Sequence, residues 1–268
     1  MMKFRISLPL LGLVCLGGEV VGIEPASPPP VFARKNEIKL FVTPENAEQA
    51  LAVLKLDEKR AVRQMVCFFD TADGALEAQN LILRSRQKDG ESGQSTVKLR
   101  ASDSATELSE AERAIQPEQD WTHENGPTLS RSVDSAPLEK GLVPQVAAGE
   151  GAVAELFNDE QKRLVMARMK NLEWGSLRRF GPVEAKVWRE QRRLDGFKEK
   201  VTIELWHLEK DGRTLEVLEV SANAKAETEE QARALAKQFF GAANAAGLGE
   251  PAGQTKTKKV LDFFKPGR

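Results

Sequence analysis

Charged side chains separated by a single residue recur along this chain, and they constrain its fold more than any other feature. In a β-strand, residues two apart point to the same face, so each such set charges one face of a strand. The sets are Lys35/Glu37/Lys39, Arg84/Arg86, Lys98/Arg100 and Glu110/Glu112. Apolar residues such as Ile38 and Leu99 occupy the alternate positions, so their face needs to be covered by other parts of the protein.

A single strand of this kind is typical of an antiparallel sheet with one solvated face. Because the pattern recurs in strand after strand, the sequence favours a closed barrel with a polar lumen, in which opposite charges compensate one another and can bind ions. Helical spacing at residues 44–56 and 227–246 adds helices to the strands. The predicted fold class is therefore α+β, an antiparallel β-barrel (a tunnel) with flanking helices.

The N-terminal residues predict an export signal and a linker ahead of the folded domain. Two basic residues precede an apolar run, which is typical of a signal peptide at residues 1–22. Residues 23–34 are rich in proline and predict a stiff linker. The tunnel domain is then expected at residues 35–268, exported to the periplasm or secreted. An uncleaved N-terminal anchor is the alternative; after removal of the signal no stable membrane span is expected.

The middle of the chain has the weakest pattern. Residues 101–151 are polar with scattered Gly and Pro, which predicts a polar insertion in which only residues 108–115 form a strand. Three later strands are predicted at residues 183–194, 198–208 and 214–221. A short segment at residues 255–264 ends the chain, and within it Lys256 and Lys258 repeat the two-residue spacing.

Several classes of function find no support in the composition and motifs. With 39 Lys and Arg against 40 Asp and Glu, the net charge of -1 gives no global field for binding nucleic acid or anionic lipid. The chain has neither a nucleophile-elbow Gly-x-Ser-x-Gly sequence nor a P-loop. Its two histidines lie far from each other and from cysteine, so a zinc site is not predicted.

A lumen with both signs of charge suits a phosphate chain. Lys and Arg neutralise phosphate oxygens, and Arg does so with two parallel hydrogen bonds. Carboxylates hold Mg²⁺ or Mn²⁺ through oxygen ligands, and such ions can polarise a phosphoryl group and orient a water for in-line attack. The pattern predicts a small polyphosphorylated anion as the ligand.

Six sequence motifs occur in an order that carries a family resemblance. They are Glu37-Ile38-Lys39, Phe68-Phe69-Asp70-Thr71, Leu83-Arg84-Ser85-Arg86, Thr96-Val97-Lys98-Leu99-Arg100, Glu219 and Thr255-Lys256-Thr257-Lys258. Together they resemble the CYTH domain, the fold of triphosphate tunnel metalloenzymes, which includes class IV adenylyl cyclases and thiamine or inorganic triphosphatases. The resemblance spans about residues 35–264 and is strongest in the first half.

The resemblance implies an antiparallel barrel whose tunnel binds triphosphate and a divalent metal, Mg²⁺ or Mn²⁺. The implied substrate-binding residues are Lys39, Arg84, Arg86, Lys98, Arg100, Lys186, Lys256 and Lys258, with Arg189 as the alternative to Lys186. The implied metal ligands are Glu37, Glu110, Glu112, Glu204 and Glu219. The implied catalytic residues are Glu37, Lys39 and Glu204.

Two positions depart from the family pattern. The family opens with Glu-x-Glu-x-Lys, but the first acid is replaced here by Lys35, and in the late Glu-x-Glu pair Val217 replaces the first acid. Losing one carboxylate from each pair weakens a metal site. The leading hypothesis is a metal-dependent triphosphatase, and the alternative is a catalytically inactive polyanion-binding module. Adenylyl cyclase activity is a third option, which export disfavours because ATP is scarce outside the cytoplasm.

Overall fold

The closed barrel that the sequence predicts is present, and nine β-strands of the described residues form it. The structure, a computed structural model, describes residues 33, 35–42, 44–100, 108–192, 194–248 and 254–265. The strands are β1 (Lys35–Val42), β2 (Val62–Asp70), β3 (Leu81–Lys88), β4 (Gly93–Arg100), β5 (Pro117–Trp121), β6 (Thr128–Asp134), β7 (Arg178–Arg192), β8 (Val201–Lys210) and β9 (Arg213–Lys225). Around the barrel their order is β1-β5-β6-β4-β3-β2-β7-β8-β9. All neighbours are antiparallel except β1 and β5, which are parallel.

Helices pack against this barrel, most of them on its outside. They are α1 (Pro44–Leu54), α2 (Ala75–Ala78), α3 (Glu110–Arg113), α4 (Leu142–Ala148), α5 (Asp159–Arg168), α6 (Glu229–Ala245) and α7 (Lys256–Phe264). The first turn of α7 lines the lumen. α6 begins after Thr228, whose hydroxyl accepts a hydrogen bond from the Gln231 backbone amide. Glu229 and Glu230 in its first turn stabilise the helix, because their negative charges lie at the positive end of the helix dipole. No helix in the described part of the chain is long and apolar enough to cross a membrane.

Much of the apolar core lies outside the barrel wall, because the charged faces of the strands point inward. Ile38 and Leu40 of β1 pack beneath α1 and α6 in one cluster that includes Phe239. On the other side, Leu83 and Leu99 of β3 and β4 are buried under α4 and α5. The apolar positions that alternate with charges in the sequence are thus covered as expected, and each buried side chain contributes about 1.5–3 kcal/mol.

A third apolar cluster bounds the lumen where α7 packs. Trp206 of β8 and Val217 of β9 lie opposite each other and are both buried. Val260 and Leu261 of α7 complete the cluster. Since Trp206 lies two residues from Glu204, this apolar cluster directly adjoins the charged part of the lumen.

Two expectations for residues 101–151 are wrong. The polar insertion contains two barrel strands, β5 and β6, so it is part of the tunnel wall. The strand predicted at residues 108–115 is instead the short helix α3. Ser109 and Glu112 form a capping box there, with each side chain bonded to the other residue's backbone amide, and this local pairing favours a helical turn.

The C-terminal segment also differs from expectation, because it is the helix α7. Two residues apart on a helix lie about 200° apart around its axis, so Lys256 and Lys258 face different surroundings. The predicted signal peptide and linker, residues 1–34, lie almost entirely outside the described residues and stay predictions.

Candidate functional site

The barrel lumen contains a cavity of about 630 Å³ that collects most of the residues predicted to form a site. Side chains of every strand except β7 line it together with the first turn of α7. The predicted residues in its wall are Glu37, Lys39, Arg84, Arg86, Lys98, Arg100, Glu204, Glu219 and Lys256. Residues far apart in sequence are brought together because alternate positions of every strand face inward.

Glu110 and Glu112 do not line this lumen, so their prediction as metal ligands is wrong. Glu110 is exposed at the start of α3. The carboxylate of Glu112 is buried against Arg168 of α5, with which it forms a short ion pair, and it also caps α3. Its function in this position is to hold two helices together.

Lys186 and Lys258 also lie outside the lumen cavity, so their prediction as substrate ligands is wrong. Lys186 faces the outside of the barrel, where its ammonium lies 2.8 Å from Glu58. Lys258 pairs on the surface with Glu77 at 3.1 Å. Arg189, the alternative to Lys186, is exposed and does not line the cavity either.

Three acidic residues of the site were missed in the sequence, Glu118 and Asp120 of β5 and Asp134 of β6. Asp120 lies beside Glu37 because β5 runs parallel to β1 in that register. The sequence does contain a signal for β5: Glu118 and Asp120 are separated by one residue, and the turn sequence Asn125-Gly126 follows before the next strand.

Lys39 is the centre of a buried ionic cluster on the β1 side of the lumen. Its ammonium lies 2.8 Å from Glu37 and 3.2 Å from Asp120, and Lys98 lies 2.7 Å from the other oxygen of Asp120. Burial opposes the charge of Lys39, but the two carboxylates raise its pKa above the ordinary value. Burial likewise opposes the charge of Asp120, but Lys39 and Lys98 hold its pKa well below the ordinary value. Lys39 and Asp120 are therefore both charged at neutral pH. Burial and the neighbouring Lys39 lower the pKa of Lys98.

Lys256 is the centre of a second cluster on the α7 side. Its ammonium contacts Glu204 closely and lies 3.0 Å from Glu219, and it sits 4.1 Å from the centre of the Trp206 ring. The Trp206 indole also donates to Glu204 at 2.9 Å. Burial opposes the charge of Glu204, but Lys256 holds its pKa below the ordinary value. Burial raises the pKa of Glu219, and repulsion from Glu204 adds to this.

The arginines of the lumen differ from its lysines in their partners. In the described part of the chain, Arg84, Arg86 and Arg100 have no carboxylate within ion-pair distance. Arg86 donates to the amide oxygen of Gln94 at 2.7 Å, and Arg100 donates to the hydroxyl of Thr255 at 3.2 Å. Burial lowers the pKa of both guanidinium groups, and Arg84 adds to this effect at Arg86. Three half-buried cations thus face the cavity without a carboxylate at ion-pair distance among the residues that the structure describes.

The carboxylates of the lumen do not fit a divalent metal in the arrangement that the structure gives them. Within the described ranges, no three Asp, Glu, His or Cys side chains lie close enough together to hold an ion. Five of the six carboxylates of the wall each have a lysine ammonium within 4.0 Å, namely Glu37, Glu118, Asp120, Glu204 and Glu219. The sixth, Asp134, accepts a hydrogen bond from the Thr96 hydroxyl. Lys35 pairs with Glu118, and Val217 is buried in the apolar cluster. The two departures from the expected acid pairs therefore leave Glu37 and Glu219, the remaining acid of each pair, each bonded to a lysine.

A closed barrel with a charged lumen and a covering of helices defines a tunnel-type domain. The CYTH domain pattern matches residues 33–257, and the chain belongs to the CYTH domain family. No curated protein sequence matches the chain.

Solved structures share this fold. One is a candidate adenylyl cyclase from Hippeastrum, described as having a dominant triphosphatase activity, with 20% identity over 85% of this chain and 95% of that chain and a TM-score of 0.52. Another is a candidate adenylate cyclase from Bacillus halodurans, with 16% identity over 84% of this chain and 98% of that chain and a TM-score of 0.51. At these identities the likeness concerns the fold.

Proposed function

We propose that the lumen binds a small polyphosphorylated anion of the triphosphate type. The observation that carries this proposal is the partnering of its cations: the lysines are paired with carboxylates, whereas Arg84, Arg86 and Arg100 have no carboxylate partner among the described residues. Guanidinium groups match phosphate oxygens with paired hydrogen bonds. Membership of the CYTH domain family and the activity described for the Hippeastrum protein support the same ligand class.

Titration calorimetry of the purified protein with tripolyphosphate tests this binding. We expect a dissociation constant of micromolar order that weakens as salt is added, because the contacts are ionic. Orthophosphate is the matched control ligand, and we expect it to bind more weakly because it cannot reach all three guanidinium groups. No detectable binding of any polyphosphate would contradict the proposal.

Hydrolysis of the bound anion is the second candidate function. It is favoured by Glu37, whose side chain is 30% exposed, more than those of Glu118, Asp120, Glu204 and Glu219. A carboxylate that faces the cavity can orient a water for in-line attack, while the guanidinium groups neutralise charge on the leaving phosphate. The test includes the Mg²⁺ or Mn²⁺ that the family resemblance implies, since five of the six carboxylates that line the lumen are paired with lysines.

Phosphate release from tripolyphosphate, thiamine triphosphate and ATP should be measured with Mg²⁺, with Mn²⁺ and with excess EDTA. We expect Glu37→Gln to lower kcat about 100-fold with KM nearly unchanged, because its role concerns the attacking water. The exposed variant Glu209→Gln makes the same chemical change outside the lumen and should leave both constants unchanged. Binding without phosphate release under all three conditions would favour the inactive binding module, and formation of cyclic AMP from ATP would favour the cyclase.

A further inference from the structure

Lys256 lies where two carboxylates of the lumen converge. Its ammonium contacts both Glu204 and Glu219, which face each other across β8 and β9. Two carboxylates that converge in a lumen otherwise repel each other or bind a cation. Here a side chain of the protein itself supplies the positive charge.

The position of Lys256 is fixed by the helix that carries it. Thr255 caps α7 through a hydrogen bond from the Lys258 amide at 3.3 Å, and the same hydroxyl accepts from Arg100. Further along α7, Val260 and Leu261 are buried in the apolar cluster that adjoins the lumen. The backbone that carries the Lys256 side chain is therefore held in a capped and packed helix.

The surroundings of this ammonium favour a cation that stays in place. The Lys256 side chain is only 10% exposed, and the Trp206 ring lies 4.1 Å from its nitrogen. An aromatic face attracts an ammonium, and the attraction is stronger when the group is desolvated. Two carboxylates and one ring thus surround a single lysine head group.

We propose that the Lys256 ammonium is the resident cation of the Glu204 and Glu219 pair and that it takes the place of a divalent ion, so that the anion binds without metal. This inference rests on the proposed polyphosphate binding for its ligand. It also accounts for Val217: a second acid at this position would need a counter-charge, whereas valine packs against α7. The carboxylate pair then orients Lys256 toward the cavity that the arginines share.

Manganese titration of the metal-free protein without phosphate tests the inference directly, with the bound fraction followed by electron paramagnetic resonance. The wild type is expected to show no lumen site for Mn²⁺. In Lys256→Gln the two carboxylates lose their cation, so Mn²⁺ should bind at least about tenfold more tightly than to the wild type. Lys258→Gln changes the same charge on the same helix outside the lumen and should behave as the wild type does.

Calorimetry with tripolyphosphate is the second test, and it measures whether binding depends on metal. For the wild type we expect affinities within about threefold in excess EDTA and in excess Mg²⁺, after correction for the complex of Mg²⁺ with free tripolyphosphate. Lys256→Gln should lose affinity in EDTA and recover part of it when Mg²⁺ is added. Loss of wild-type binding in EDTA, or Mn²⁺ binding to the wild type as tight as to the variant, would overturn the inference.

These outcomes also separate this inference from the function on which it rests. If the wild type binds no polyphosphate under any condition, the proposed function fails, while the Mn²⁺ titration still decides the role of Lys256. If Lys256→Gln does not fold, as judged by circular dichroism, the wild-type Mn²⁺ and EDTA measurements decide it. Lys256→Arg retains the positive charge, and Mn²⁺ binding to this variant would also overturn the inference.

Discussion

Tripolyphosphate binding is expected to weaken about 100-fold or more when Arg84 and Arg86 are both replaced by glutamine. A hydrogen bond to a charged group contributes about 1.5–3 kcal/mol, and tenfold in affinity corresponds to about 1.4 kcal/mol, so two such contacts account for this loss. Both side chains project from β3 into the cavity, and among the described residues neither has a carboxylate partner that would be left unpaired. Folding should therefore change little while binding falls.

Calorimetry measures the loss, and a second double variant controls for net charge. The control variant, Arg63→Gln with Lys186→Gln, removes two positive charges from the outer face of the neighbouring strands β2 and β7. Both residues line a surface cavity outside the lumen. We expect less than about a threefold change for this variant, because exposed charges are screened by salt. Equal losses in the two double variants would mean that binding follows net charge and not the lumen.

The parts of the fold that the sequence predicts well are those where one strand face is charged and the other is apolar. β1, β3 and β4 have this alternation, and each contains the set of charged residues that predicts it. The alternation predicts these strands correctly because helices cover their apolar face, whereas their charged face lines the polar lumen. The resemblance to the CYTH domain rests on these same strands.

β5 and β6 could not be predicted from alternation, because both of their faces carry polar residues. Gln119 and Arg131 are buried outside the lumen, with only 4% and 7% of their surface exposed. In the sheet, Gln119 pairs with Asn36 of β1 and Arg131 pairs with Leu99 of β4. A short strand whose apolar face is interrupted by polar residues has the composition of a loop. The two acids of β5 were missed for this reason.

The pairing of charges in the lumen was beyond sequence reasoning for a different reason. Asp120 meets Glu37 and Lys39 only because β1 and β5 close the barrel in parallel. Lys256 reaches Glu204 because residues 256–264 form a helix and not a strand. The sequence supplies the residue types, whereas strand register and helix placement decide which lysine neutralises which acid.

Asp120→Asn is expected to lower stability and raise affinity at the same time. The carboxylate has 6% of its side-chain surface exposed, and it compensates both Lys39 and Lys98. Removing one partner from a buried ionic cluster costs about 3–5 kcal/mol, and asparagine should lie at the lower end because it keeps the shape and can still accept from Ser130. The lumen also becomes more positive, so tripolyphosphate should bind at least about threefold more tightly.

The pH dependence of unfolding separates this electrostatic effect from a packing defect. The pKa of Asp120 is lower in the folded protein than its ordinary value, so its stabilisation is fully present above about pH 4 and is lost as the pH falls below that. The stability difference between wild type and Asp120→Asn should therefore shrink as denaturant unfolding is measured from pH 7 down to about pH 3. Asp211→Asn, the same change in an exposed turn, should leave stability nearly constant throughout. A difference for Asp120→Asn that stays the same at every pH would show that lost packing, and not lost charge, destabilises the variant.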